Sequence, residues 1–456
     1  MRETFTCLAS ILLITFGVSA QGPSATPRTA KEEAVPELRD AGTIVLRHVR
    51  VIDGTGAPPR EDQTLTIQDG KIAALQPDDA VDIPQGGRTI DLSGRTVIPG
   101  LVMLHEHLFL MEPGDGVGLS HPEHFSFPRL YLAFGVTTIR TAGTDFPYLD
   151  LNLKRRIDAG TTPGPEIHLT SPYFSGEGDP TLGAMILRDP ESARRAVRYW
   201  AAEGFTSFKA YQWIPKDVLA ALIDEAHKLK LPVTAHLGSV TCLEAAQMGI
   251  DNVEHAFGPC IRRTADNLEP DLNGPRTQVL VRAFIDKHIV LTATPGAPDA
   301  AADIEGPLLD PSVRGRLSRL RMTRQGTSGP AVAPGSYNRL LKAFVNSGGR
   351  LVLGSDAGSE RLAGLADHEA LKGLVRMGFE PVEAMRIATL NGATFLGIHN
   401  RTGSIQIGKE ADVVVVRGNP ANQIEDIENV QVVFNNGVAY DPKTLIERVK
   451  GQVGWK

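Results

Sequence analysis

The sequence has little cysteine, no block of like charge and no apolar run of membrane-spanning length. The one apolar stretch of note, Leu8 to Val18, falls inside MRETFTCLASILLITFGVSAQG. It is too short to span a bilayer. With Arg2 before it and Val18-Ser19-Ala20 after it, the stretch has the plan of a secretory signal peptide cleaved after Ala20. The expected location is therefore secreted or periplasmic, without a stable membrane anchor. Cys7 precedes the apolar stretch, so it is not placed as a lipid-attachment residue. Cleavage leaves Cys242 and Cys260, too few for a disulfide framework in an exported chain of this length. Two separate buried thiols are expected. The net charge of −6 without charge runs argues against a nucleic-acid partner and a polybasic surface.

What remains is an ordinary globular composition, 42% hydrophobic and 22% charged, in a chain of 456 residues with room for one large domain and a smaller one. Residues 21–40 mix Pro, Ala and charge without periodicity and read as a flexible leader. From 41 to 98 apolar and polar residues alternate between Asp-Gly and Ser-Gly turns. The same texture returns at 400–446, where Asn436-Gly437 marks a hairpin. These two ends are expected to form one small β-sandwich domain.

Between them, residues 99–399 alternate short apolar strands with helices. Strand candidates lie at 101–107, 136–142, 166–172, 205–211, 232–237, 252–257, 289–294 and 350–356. One helix starts at Asp189-Pro190, a cap followed by a first-turn proline, and stops at Gly204. Another carries Val218, Leu219, Leu222, Ile223, Ala226 and Leu229 on one face. Eight such units predict an α/β fold, a (β/α)8 TIM barrel, with an open doubly wound sheet as the alternative.

A barrel of this kind works at the C-terminal ends of its strands, and the unusual polar residues collect there. His105 and His107 close the first strand, and a period of two aims both imidazoles the same way. Lys209 falls in the fourth strand, His236 near the end of the fifth, His255 in the sixth and Asp356 at the end of the eighth. Taken singly, each has an ordinary reading: a hydrogen-bonded histidine, a helix-capping aspartate, a snorkelling lysine. Their coincidence at strand ends favours a metal site. His168 sits mid-strand and reads as structural.

The stretch VIPGLVMLHEHL resembles the first-strand signature of the amidohydrolase superfamily, and FKAY, TAHLG, NVEHAF and LGSDAG are similar to its later metal-strand motifs, in the same order. The resemblance runs from Ile44 to Tyr440 and is closest to the imidazolonepropionase-like branch, which includes metal-dependent prolidase-like dipeptidases. It implies a centre of two divalent ions. His105, His107 and Asp356 would hold one, His236 and His255 the other, and Lys209, carboxylated to a carbamate, would bridge them. An ammonium cannot ligate a cation, whereas a carbamate offers an anionic oxygen to each. The donor set suits zinc, with Mn²⁺, Co²⁺ and Fe²⁺ left open. Glu106, between the two histidines where the family often has a small or apolar residue, is expected to point away and pair with a base behind the barrel.

A metal-activated hydroxide attacking an amide-type C–N bond follows as the expected chemistry, with Asp356 moving the proton to the leaving nitrogen. Substrates would be small molecules or short peptides: a dipeptide or an N-acyl amino acid, with cyclic amides, lactones or phosphotriesters as the alternative. A metal-free binding relative would lack several of the six positions, and all six are here. Tyr211, two residues beyond Lys209 on the same face, is a candidate substrate contact. The loop after the first strand carries His121 and His124, and the insertion from Gly296 to Ser336, with five arginines between Arg314 and Arg324, is a lid candidate. A homo-oligomer is left open.

Overall fold

Tight turns organise both ends of the chain. At Asp69-Gly70 φ is 50° and 75°, and at Asn436-Gly437 it is 50° and 77°; these are the paired positive angles of hairpins that follow the strand twist. Five N-terminal strands (Thr43–Val51, Arg60–Gln68, Lys71–Pro77, Arg88–Asp91 and Arg95–Pro99) join three C-terminal ones (Val413–Arg417, Val430–Asn435 and Val438–Tyr440) in one eight-stranded sheet. The two ends meet where Arg95–Pro99 runs antiparallel to Val413–Arg417. Leu46, Leu65, Val97, Val413, Val415 and Phe434 form the buried core of this sheet.

The computed structural model describes the chain from Glu33 onward, apart from residues 37, 39–41, 81–86, 113–118, 182, 262–272, 297–305, 316–333, 360 and 455–456. The expected signal peptide at 1–20, most of the expected leader and most of the lid candidate lie outside the described residues. The end of the leader does not fit the flexible reading. Ala34 is buried, the Val35 N–H donates to Ala439 C=O at 2.8 Å, and Glu33 pairs with Arg129 at 2.7 Å. Of the insertion, Leu308 and Leu309 are buried, and the Asp310 N–H donates to Val453 C=O at 2.9 Å, which ties this part to the C-terminus. Among the described residues no helix is long and apolar enough to cross a membrane.

The middle of the chain has a TIM-barrel-like α/β fold. Its parallel strands are β1 (Leu101–Glu106), β2 (Val136–Thr141), β3 (Glu166–His168), β4 (Thr170–Ser175), β5 (Ser207–Ala210), β6 (Val233–Ala235), β7 (Asn252–Glu254), β8 (Val290–Ala293) and β9 (Arg350–Leu353). β1, β2 and β3 form one parallel sheet, and β4 to β9 run in order in another. The third strand expected from the sequence is thus split at Leu169: its first half pairs with β2 and its second with β5. After β9 the chain returns to β1, and the Asp356 N–H donates to His105 C=O at 2.9 Å. Gly354 permits that approach, because a Cβ there would fall 2.4 Å from the His105 Cβ.

The helices follow their signals. In Pro190–Glu203, Asp189 accepts the Ser192 N–H at 2.7 Å, and Gly204 closes the helix at φ 103°. In Lys216–Lys228 the expected apolar face is buried, except that Leu229 lies past the last turn and is 44% exposed. One expectation is overturned: Cys242 and Cys260 form a disulfide, with Cα atoms 5.3 Å apart. Cys242 opens the helix Cys242–Met248 after β6 and Cys260 lies in the turn after β7, and the two strands are neighbours in the sheet.

Candidate metal centre

β1 is buried along its whole length, so its alternation is enforced by packing on both faces. His105 and His107 face the cavity at the C-terminal ends of the strands. Glu254 Oε2 lies 2.7 Å from His105 Nδ1, and His105 Nε2 is left 3.3 Å from Asp356 Oδ1. His107 Nδ1 faces Gly143 C=O at 3.3 Å, and its Nε2 is 3.2 Å from the same Asp356 oxygen. Among the described residues His105, His107 and Asp356 form a group compact enough for a cation. Burial pushes the Asp356 carboxyl up, but His105 and His107 outweigh it and hold it well below the usual range. Its backbone sits at φ 57°, an uncommon angle for a non-glycine residue.

Three more residues complete the cavity wall. Lys209 on β5 is 1% exposed, and its Nζ is 3.6 Å from Glu254 Oε1. Burial lowers its pKa, and the attraction of Glu254 offsets that only in part. His236 follows β6 and His255 follows β7, with ring centroids 4.6 Å apart; His255 is also 4.6 Å from His105. His255 Nδ1 meets Thr294 Oγ1 at 2.9 Å. Burial, reinforced by Lys209 and His105, lowers His236 to about 4, and burial together with His105 holds His255 well below its ordinary value. Both imidazoles are therefore neutral at neutral pH, the form that binds metals.

All six residues singled out from the sequence line one cavity of about 490 Å³, together with Tyr211. Tyr173, which the sequence reading missed, lines it too: its hydroxyl is 3.4 Å from His107 Nδ1, and its ring is 4.9 Å from that of Tyr211. Burial raises both phenols, so both stay protonated and able to donate.

Glu254 is the larger omission. It is fully buried and accepts from Arg140 Nη2 at 2.8 Å and from the Thr234 hydroxyl, while also holding His105 and facing Lys209. Burial raises its carboxyl, but Lys209, His105 and Arg140 together hold it ionised, well below the usual range. Its signal was adjacency, since it immediately precedes His255 in NVEHAF.

Glu106 points away from the cavity, as its place on β1 dictates, but its partner is not a base. It accepts the Ser355 N–H at 2.7 Å, the Ser355 hydroxyl at 2.6 Å and the Tyr131 hydroxyl at 3.2 Å. Burial and the neighbouring Asp367 raise it well above the usual range. His124 is held by Asp150 at 2.6 Å and does not line the cavity; neither does His121. His168 pairs with Glu166 at 3.0 Å. A second compact group, His48, Asp62 and Asp78, lies on the terminal sheet with two of its members exposed. There Arg47 already neutralises Asp78 through Nε at 3.0 Å.

Comparison with known proteins follows this geometry. Residues 330–439 match the Amidohydrolase family. The chain is 24% identical over 427 residues to an enamidase of Eubacterium barkeri, covering 88% of this chain and 96% of that one. It is 23% identical over 382 residues to an imidazolonepropionase of Geobacillus kaustophilus, covering 78% and 84% of the two chains. A solved Xaa-Pro dipeptidase with bound methionine in its active site shares the fold at TM-score 0.68 and 21% identity, covering 88% of this chain and 100% of the other.

Proposed function

Because this chain belongs to the amidohydrolase superfamily, with its imidazolonepropionase-like and prolidase-like members, and is a hydrolase of carbon–nitrogen bonds, we propose that it is an exported two-metal enzyme cleaving an amide bond in a dipeptide or an N-acyl amino acid. The observation that carries the reading is the convergence of His105 Nε2 and His107 Nε2 on one Asp356 oxygen, at 3.3 and 3.2 Å, beside the paired rings of His236 and His255.

The donor chemistry fits a divalent metal. A buried carboxylate orients His105 through Nδ1 and leaves Nε2 free toward the cavity, the usual support of a metal-binding imidazole. In this reading His105, His107 and Asp356 would hold one ion, His236 and His255 the other, and Lys209, carboxylated by CO2, would serve both as a carbamate. Carbamate formation needs a neutral amine, and the burial of Lys209 favours one. Zinc suits this set. Ions held there would supply an acidified water and a Lewis acid for the scissile carbonyl. Asp356 takes the proton from the attacking water and returns it to the leaving nitrogen. Tyr173 and Tyr211, both neutral, offer donors to the substrate's polar groups. The two parallel sheets are read as one closed ring of eight strand positions, a (β/α)8 barrel, and the terminal sheet as the sandwich-like domain beside it.

Purified protein loaded under metal-replete conditions should contain two divalent ions per chain and hydrolyse members of a dipeptide and N-acyl amino acid panel. One ion or none would overturn the two-metal reading, and hydrolysis of lactones or phosphotriesters alone would overturn the amide one. Export through a signal peptide cleaved after Ala20 draws support from the Cys242–Cys260 disulfide, a bond of oxidising compartments. N-terminal sequencing of the mature protein checks it, and an uncleaved cytoplasmic chain would refute it.

A further inference from the structure

Apart from the six candidate ligands, one charged side chain lines the metal-site cavity among the described residues, and it is an acid, Asp145. It sits in the loop between β2 and the helix Pro147–Asp158. One of its oxygens, Oδ2, accepts the Ser120 hydroxyl at 2.5 Å. The other, Oδ1, is buried and has no hydrogen-bond partner among the described residues. An orphaned buried carboxylate oxygen is costly unless something in the working state meets it. Burial outweighs the pull of Ser120 and His107 and holds the carboxyl above its ordinary value, as an acid still waiting for a cation would be. The chain itself closes one side of Oδ1 without supplying a donor. Gly183 stands there at φ 80°, and a Cβ on it would come within 2.9 Å of that oxygen. Asp145 is part of the cavity wall. Asp145 lies on the His107 side of the centre, since Gly143, two residues before it, offers its carbonyl to His107 Nδ1 at 3.3 Å.

We propose that Asp145 binds a protonated amine of the substrate, and that the enzyme selects dipeptides with a free α-amino group over N-acylated amino acids. This rests on the amide-hydrolase reading above and narrows it. An ammonium supplies the donor that Oδ1 lacks and sets a full positive charge beside a carboxyl whose described hydrogen-bond partner, Ser120, is neutral. An acylated nitrogen keeps at most one N–H and carries no charge, so it leaves the buried carboxylate without a counter-charge. Charge-assisted hydrogen bonds of this kind discriminate by about tenfold to a hundredfold.

The test compares L-alanyl-L-proline with N-acetyl-L-alanyl-L-proline on the zinc-loaded enzyme. Wild type should show kcat/KM at least about tenfold higher for the free dipeptide. In Asp145→Asn that ratio should collapse, mainly through a higher KM for the free dipeptide, with the acetylated compound little changed. Zinc content and thermal melting establish that the variant is intact, and the wild-type ratio stands as a measurement free of any variant. Equal use of the two compounds by wild type, or an equal loss on both in Asp145→Asn, would overturn the proposal while leaving the amide-hydrolase reading in place. If neither compound is hydrolysed, the dipeptide reading fails. Calorimetry on the same zinc-loaded protein then decides the role of Asp145: tighter binding of the free amine supports it, and equal affinities refute it.

Discussion

The two faces of β1 carry similar side chains into the same depth of burial and leave them in opposite states. On the cavity face, Glu254 and Asp356 stand among His105, His107, Lys209 and Arg140, and both carboxylates are held ionised. On the rear face, Glu106 and Asp367 share a pocket with Ser355 and Tyr131, and burial raises both, Asp367 to about 7. Burial alone favours the neutral acid on either side. A cation within reach reverses it on one side, and among the described residues none shifts the acids on the other. One residue of register along the strand therefore separates an anionic, cation-ready face from a protonated, structural one.

The largest effect should come from removing the anion that organises the cavity face. Glu254→Ala strands Arg140 without its carboxylate partner and frees His105 from its orienting contact. Urea denaturation should show a loss of about 3–5 kcal/mol, and metal analysis should show loss of bound ion. A variant that kept wild-type stability and metal content would mean that Glu254 is a bystander. Lys209→Ala should likewise lose metal, and partial recovery of metal and activity with a small carboxylic acid would support the carbamate bridge. Asp356→Asn preserves shape but cannot take a proton, so turnover should fall by about 10²–10⁴-fold with metals still bound. Full activity in a metal-loaded Asp356→Asn protein would remove the proton-transfer role.

This division also marks what could be read in the sequence. The six cavity residues were legible because strand periodicity and strand ends are local properties: His105 and His107 declare their common direction by spacing alone. Nothing local announces that Glu254 on β7 lies against Arg140 on β2, since that contact crosses the interior between strands far apart in order. Glu106 could be assigned its face but not its company, because Asp367 and Ser355 arrive from a segment some 250 positions away. The disulfide was missed for the same reason. Cys242 and Cys260 are ordinary in sequence and meet because the segments after β6 and β7 are adjacent. The third strand reads as continuous because no glycine or turn pair interrupts EIHLTSP near Leu169; its break there comes from pairing, with β2 on one side and β5 on the other.

The rear face yields the smallest and most discriminating effect. Asp367 has an ordinary pKa of 3.8 and is raised by burial to about 7 in the fold. Between those values the folded chain holds a proton that the unfolded chain releases, so rising pH favours unfolding across that interval. This contribution to stability is complete at acid pH and declines as pH climbs toward 7. Asp367→Asn keeps an acceptor for the Gly364 N–H, which now meets Asp367 Oδ2 at 2.7 Å, and it cannot ionise. The variant's stability should therefore fall less than that of wild type between pH 4 and 7, and the two curves should differ most at the neutral end. Because the cavity-face groups are common to both proteins, the difference between the curves isolates the rear face. Parallel curves would place a cation near Asp367 and erase the contrast between the two sides of β1.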